Sequence, residues 1–319
     1  MAREILIIGD EWNTLDHARD SSLYLCRVAR KEFGLKTYWA LAKDIFRDMG
    51  VLKVKLNGEL NDAGLMPLKD DTRELLSFDS IHWRVDPPVD ITTMRLWSLL
   101  ASTVASNRVK LVNSPEALLK WNEKFAPVAF LDYAIVGLVA DSEDAWKSFY
   151  ERHAKKKLIA KPSGEAASRG VQFLPENNWP LALERLRHLR HEHGPWLVIQ
   201  EFNSDVLSLG ETRVFIVNGA VVAAMNKRPN PDHLIMNLDL PAAARPELKL
   251  CEPTDAQRAR ATDVATTLAV DGVYLATIDF IGDRILEINV TSPGLIAWVD
   301  ERLSLDQRIA MKYWRGLTD

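Results

Sequence analysis

The chain has 319 residues, 47% of them hydrophobic and 26% charged, the composition of an ordinary globular protein with room for two or three subdomains. A net charge of −4 gives no electrostatic basis for holding nucleic acid or an anionic membrane, and no run of about eighteen apolar residues is present to span a bilayer. The opening segment reads as a strand, because Asp10 breaks its apolar run too soon for a signal peptide. Cys26 and Cys251 lack metal-ligand spacing, and together these features point to a reducing cytoplasm.

In chain order, the apolar patterns predict a strand over 4–9, a helix over 20–33 and a strand over 36–41. After a loop come the segment 53–59, a strand over 80–85, a helix over 92–105 and a short strand over 110–113. This βαβ rhythm predicts a small open α/β domain over residues 1–113. Ser114-Pro115-Glu116 opens a helix, with serine as cap and proline in the first turn. A second unit, 114–194, carries a helix over 144–153, a strand over 158–161, a small-residue loop over 163–170, a strand over 171–174 and a helix over 181–193 that ends at Gly194-Pro195. His188, His191 and His193 fall on the polar end of that helix and read as a solvated face. A third unit, 195–319, begins with a strand over 196–202 and a hairpin over 212–225 whose Asn218-Gly219 step favours a type I′ turn. The Pro-rich stretch 228–246 reads as a long mobile loop. A helix over 255–269, a second hairpin and a closing helix over 303–314 complete an α/β (α+β) chain.

The second hairpin carries the chemistry. Two apolar runs, 275–281 and 285–290, flank a Gly282-Asp283 turn and are interrupted by Asp279, Glu287 and Asn289. Glu287 and Asn289 are two apart and share a strand face, and a closed hairpin brings Asp279 to them. Two carboxylates and an amide oxygen suit a hard cation such as Mg²⁺, with phosphate oxygens completing its shell. Solvated polar positions on a half-exposed hairpin are the competing reading. Lys161 ends a strand directly before the small-residue loop, where backbone N–H groups can approach an anion and a lysine adds charge. Arg213 and Arg228 flank the Asn-Gly hairpin and are expected to face the metal residues, where a guanidinium stabilises charge that grows in a transition state; Lys227 is a substitute for Arg228. No dinucleotide fingerprint or Walker loop is present.

The run from Thr277 to Pro293 resembles the metal hairpin of the ATP-grasp ligases and is similar to the corresponding segment of the bacterial glutathione synthetase family, with a more distant likeness to glutamate ligases that modify ribosomal protein. Asp20-Ser-Ser22, the run Arg84 to Asp90, Val112 to Pro115, Asn122-Glu-Lys124, Ala160-Lys-Pro162 and Arg213-Val resemble family segments in the family's order. The resemblance implies an ATP-grasp fold behind an N-terminal α/β domain. The implied enzyme is an ADP-forming carboxylate–amine ligase that uses ATP and Mg²⁺ or Mn²⁺ and works through an acyl phosphate. It implies Lys124 and Lys161 at the nucleotide phosphates with Ser168 in their loop, and Gln200, Glu201, Phe202 and Asp205 around adenosine. It further implies Arg213, Arg228 and Asn237 in catalysis, with Arg245 on the same lid, and Asp20, Ser21, Arg84, Ser292, Pro293 and Gly294 beside the substrate. Small-molecule or short-peptide acids and amines are the implied partners, without nucleic acid or membrane, in a chain able to form homo-oligomers. Three departures stand out: Ala166 and Ala167 in the phosphate loop, an apolar lid around Met236, and Ala297-Trp298 where the family has a basic–acidic pair. Trp298 in the acceptor pocket predicts a more apolar substrate than γ-glutamylcysteine and glycine. An idle ATP-binding relative is the alternative reading.

Overall fold

The computed structural model describes residues 3–104, 110–231, 236 and 240–318. The first sheet has six strands in the order Gly64–Pro67, Gly58–Asn61, Lys36–Leu41, Glu4–Gly9, Ser80–Trp83 and Lys110–Val112. The last four run parallel, and Ile5 to Ile8 are buried on both faces, which is why this strand reads as a continuous apolar run. Helix Ser21–Phe33 is capped by Asp20, whose Oδ1 accepts from the Leu23 N–H at 2.8 Å. The loops leaving the carboxyl ends of Glu4–Gly9 and Ser80–Trp83 form one wall of a large cavity, the usual place for a ligand in an open parallel sheet. A small three-stranded sheet, Ile45–Asp48, Val51–Lys55 and Thr72–Glu74, lies outside the sequence expectation.

A second, four-stranded sheet is antiparallel, in the order Gly137–Ala140, Leu197–Glu201, Leu158–Pro162, Gln172–Phe173. Leu197–Glu201 is an inner strand of this sheet, so the sheet runs across the 194/195 boundary expected from sequence. Helices Glu143–Arg152 and Trp179–His193 cover one face, packing Trp146, Phe149, Leu186 and Leu189 on Ala160 and Ile199. Strand alternation then turns Ile159 and Lys161 to the opposite face, where both line the cavity.

The third sheet is antiparallel throughout: Glu247–Cys251, Ala220–Arg228, Glu211–Val217, Leu275–Ile281 and Arg284–Asn289. Asn218 and Gly219 both take positive φ, 50° and 73°, the signature of the predicted I′ turn. One face packs Val214, Ile216, Ile278 and Ile288 together with Ala261, Val264 and Leu268 of helix Asp255–Val270. The other face changes character along its length. Phe215, Val217, Met225 and Leu275 pack with Ile309, Tyr313 and Trp314 of helix Ile309–Thr318. Two residues further along, the same face turns charged.

The closing helix predicted over 303–314 starts later, as Ile309–Thr318, and a separate short helix, Ile296–Asp300, precedes it. The Asp300 carboxylate accepts from the Ile309 and Ala310 N–H groups at 2.7 and 2.9 Å, capping a new start rather than continuing the first helix. Among the described residues no helix is long and apolar enough to cross a membrane.

Candidate active site

The charged half of the third sheet, the cavity face of the second and the loops of the first enclose a cavity of about 610 Å³. Asp279, 1% exposed, is held by Arg213 in a fork: Nε donates to Oδ1 at 2.8 Å and Nη2 to Oδ2 at 2.6 Å. Asn289 Nδ2 also donates to Asp279 Oδ2, at 3.2 Å. Burial alone would raise the Asp279 pKa, but Arg213 and then Lys227 outweigh it and hold the carboxyl well below its ordinary range. Glu287 pairs with Lys124 Nζ at 3.0 Å. Burial opposes its charge as well, and Lys124 and Lys161 overcome it, so its pKa is lowered. Lys124 is itself pushed down by burial and lifted further by Glu287, ending above its ordinary value.

Asp279, Glu287 and Asn289 share this face because of one irregularity. Phe280 pairs with Ile285, yet Asp279 pairs with Glu287, a bulge that skips Leu286. Without it Glu287 would point to the far face. A second bulge, between Phe215 and Ile216 of the first hairpin, sets Glu211 opposite Lys227. It decides between the two cations considered from sequence. Lys227 is buried in the cavity, ion-paired to Glu211 and 3.8 Å from Asp279 Oδ2. Arg228 is exposed on the alternate side, opposite Glu247, and does not line the cavity. The cavity position expected for Arg228 is therefore held by Lys227. Lys227→Met is expected to lower kcat/KM by at least tenfold, since it strips Glu211 and Asp279 of a buried countercharge, while Arg228→Met stays within about twofold; steady-state kinetics of the pair decide it.

Lys161 is 8% exposed and lines the cavity, and its ammonium makes no hydrogen bond or ion pair among the described residues. Burial lowers its pKa from 10.5. The sign follows for pH: anion affinity resting on the Lys161 charge lasts only while the ammonium keeps its proton. It falls as pH rises through a midpoint below the ordinary lysine value. ATP titrations from pH 7 to 10 are expected to show that loss, and adenosine titrations are not.

Other sequence candidates separate clearly. Asp20, Ser21, Arg84, Ser292, Pro293 and Gly294 line the wall nearest the first sheet. Arg84 Nε donates to Ser22 Oγ at 3.0 Å and Nη2 to the Pro293 carbonyl at 2.9 Å, fastening the two segments together. Burial raises the Asp20 pKa. Ser168, Glu201 and Phe202 also line the cavity, but the Glu201 carboxylate turns to the helix side and meets His153 Nδ1 at 2.7 Å. Gln200 is buried beneath Gly137, where a Cβ would come within 2.9 Å of its Cγ, and it does not line the cavity. Asp205 is exposed outside it, and Asn203 and Val206 line it instead. Arg245 donates to the Leu240 carbonyl at 2.6 Å and is likewise not a lining residue. Asn237 lies outside the described residues. Trp298 is a correction: with Ile296, Ala297, Val299 and Asp300 of its helix buried, it falls on the outer side, 3.8 Å beneath the Arg302 guanidinium, away from the cavity. Three buried lining residues went unread in the sequence: Glu211, Glu123 and, as the principal cation of its strand, Lys227. Glu211 is raised to about 6 by burial, which Lys227 opposes. Glu123 accepts from the Thr291 N–H at 3.1 Å and is raised by burial and by Glu287.

Among the described residues no three His, Cys, Asp or Glu side chains converge as a self-sufficient metal cage. Two carboxylates and an amide oxygen, faced by cations, are instead the half-shell that a hard cation shares with a phosphate chain. The donor set therefore fits a phosphate-bound Mg²⁺.

This sheet arrangement and this acid–amide triad define an ATP-grasp ligase. Residues 123–303 match the family model described as prokaryotic glutathione synthetase, ATP-grasp domain, and residues 4–118 match the N-terminal domain of the same enzymes. The chain is 30% identical to the glutathione synthetase of Parasynechococcus marenigrum, over 70% of each chain, and 26% identical to that of Vibrio vulnificus, over 92% of this chain and 91% of the other. A D-cycloserine synthetase has the same fold at 16% identity, with a TM-score of 0.65 over 98% of this chain and 99% of the other. A macrocyclase from Microcystis aeruginosa, bound to its precursor peptide, follows at 14% identity and 0.62, over 98% and 99%. The chain belongs to the prokaryotic glutathione synthetase family, and it is an ADP-forming, ATP-dependent ligase that joins a carboxylate to an amine.

Proposed function

We propose that ATP lies between the second and third sheets, with its phosphates at Lys124 and Lys161 and its base against Phe202, and that the acid and amine meet at the wall formed by Asp20, Ser21, Arg84 and Ser292. The observation that carries this is the convergence of Asp279, Glu287 and Asn289 with Lys124, Lys161, Arg213 and Lys227 in one cavity. Asp279, Glu287 and Asn289 would hold Mg²⁺, or Mn²⁺ in its place, and the cation would neutralise charge on the transferring phosphoryl group. Lys124 and Lys161 orient the phosphate chain and balance its charge. Arg213, fixed by Asp279, stabilises oxygen charge that develops when the amine adds to the activated acid. Glu211 keeps Lys227 in place beside it.

The substrate wall is polar. Asp16, Asp20 and Asp86 stand there with Arg19 and Arg84, and Trp298 does not. These charges support zwitterionic, amino-acid-like reactants, γ-glutamylcysteine and glycine among them, over the apolar substrate expected from sequence. A cytoplasmic site, where ATP and free thiols such as Cys26 and Cys251 coexist, suits that chemistry. The test is ADP release by the purified protein with Mg²⁺ across a panel of acids and amines, products read by mass. Zwitterionic pairs are expected to lead by tenfold or more; a panel led by apolar acids would overturn the substrate class.

A further inference from the structure

Resting on the placement of phosphates beneath the loop 163–170, we propose that Arg169 is a positioning residue that straps this loop onto the substrate wall before nucleotide arrives. Between its end glycines, Gly164 and Gly170, the loop carries no glycine. Ala167 and Ser168 stand at positive φ, 53° and 59°, where a side chain is unfavourable. Something must over-determine that shape, and the contacts around it do. The Glu165 carboxylate accepts from Arg169 Nε at 2.8 Å and meets His193 Nδ1 at 3.1 Å. Arg169 then reaches out of its own unit, and Nη2 donates to the Pro87 carbonyl at 2.8 Å. Beside it the Val89 N–H donates to the Gly164 carbonyl at 3.1 Å. Lys124 Nζ donates to the Glu165 carbonyl, so the same loop contacts a phosphate lysine.

Pro87 and its neighbour Asp86 line the substrate side of the cavity, and residues 165–169 line the nucleotide side. One guanidinium thus ties the two sides together. Exposed ion pairs contribute little to stability, so the role of Arg169 is geometric: two nitrogens held apart in one plane serve a carboxylate and a carbonyl, where a lysine offers a single nitrogen. His193, read from sequence as part of a solvated helix end, anchors the other side of the same carboxylate.

The experiment compares full-length protein with Arg169→Met and Arg169→Lys. Hydrogen exchange of amides 163–170 is measured without nucleotide, and affinities for Mg²⁺–AMPPNP and for adenosine are measured by calorimetry. Arg169→Met is expected to speed exchange of the loop and weaken AMPPNP about tenfold, the scale of a charge-assisted pair of hydrogen bonds, with adenosine unchanged. KM for ATP should rise while kcat at saturating ATP stays within about threefold, and Arg169→Lys should fall between. Wild-type protein that binds AMPPNP no better than adenosine overturns the phosphate placement. Wild-type protein that prefers AMPPNP, with Arg169→Met matching it in affinity and in loop exchange, overturns the strap.

Discussion

Replacing Glu287 with glutamine is expected to lower kcat by a factor of about 10²–10³, the effect of removing one preorganised charge from a transition state, and to raise the Mg²⁺ concentration needed for half-maximal rate. The side chain keeps its shape, and Ile285 and Ile288, which pack into the core on the other face, are untouched. The protein should therefore fold as before. Lys124 loses its partner at 3.0 Å but still donates to the Glu165 carbonyl and still faces the cavity, so the stability cost is small beside the catalytic one. Titrating activity against Mg²⁺ separates the readings. Normal turnover at limiting Mg²⁺ would remove Glu287 from the cation site.

The largest stability effect belongs to Asn113. Its side chain sits 4% exposed between the first sheet and the site hairpin and makes four hydrogen bonds. Nδ2 donates to the Leu275 and Val290 carbonyls at 2.8 and 2.7 Å. Oδ1 accepts from the Tyr274 and Leu275 N–H groups at 2.7 and 2.9 Å. Every polar atom of the amide is used. Asn113→Ala removes all four bonds and takes this partner from the Leu275 N–H and from the Leu275 and Val290 carbonyls, at about 1–3 kcal/mol each if none relaxes. Relaxation and water entry reduce the sum, and a loss of about 4 kcal/mol in unfolding free energy is expected. Urea unfolding measures it, and a loss below about 1 kcal/mol would show that the four bonds are replaceable. Asn113 fixes the start of Leu275–Ile281, and so the height at which Asp279 stands in the cavity.

Much of this was legible. Continuous apolar runs marked the parallel strands, Asp20 and Ser114 marked helix starts, and the Asn218-Gly219 and Gly282-Asp283 turns marked both site hairpins. The metal triad could be read because side chains alternate along strands. What could not be read is where alternation fails. Counting back from the Gly282-Asp283 turn without a bulge sets Asp279 opposite Leu286 and sends Glu287 to the far face. The triad survives because Leu286 is skipped. Counting back from Asn218-Gly219 without a bulge places Arg228, not Lys227, on the site face. The skip at Val222 exchanges them, and no local residue type announces it. Glu211 was within reach, since it lies two residues before Arg213 on the same strand face. Trp298 was misplaced for a different reason. A helix begins at Ile296, and its 3.6-residue period, not linear distance from Pro293, decides which side chains meet the cavity.

We propose that this site activates a carboxylate by phosphorylating it. An acid labelled with ¹⁸O in its carboxylate tests this most directly, in a single experiment with Mg²⁺, ATP and the amine. If a carboxylate oxygen attacks the γ-phosphorus and the amine then displaces phosphate, one labelled oxygen leaves with each phosphate as ADP and amide form. One ¹⁸O is expected in the released phosphate per amide bond, with label lost in proportion to activity in Glu287→Gln. Amide formed with unlabelled phosphate, or ADP released without amide in the presence of both reactants, would contradict it.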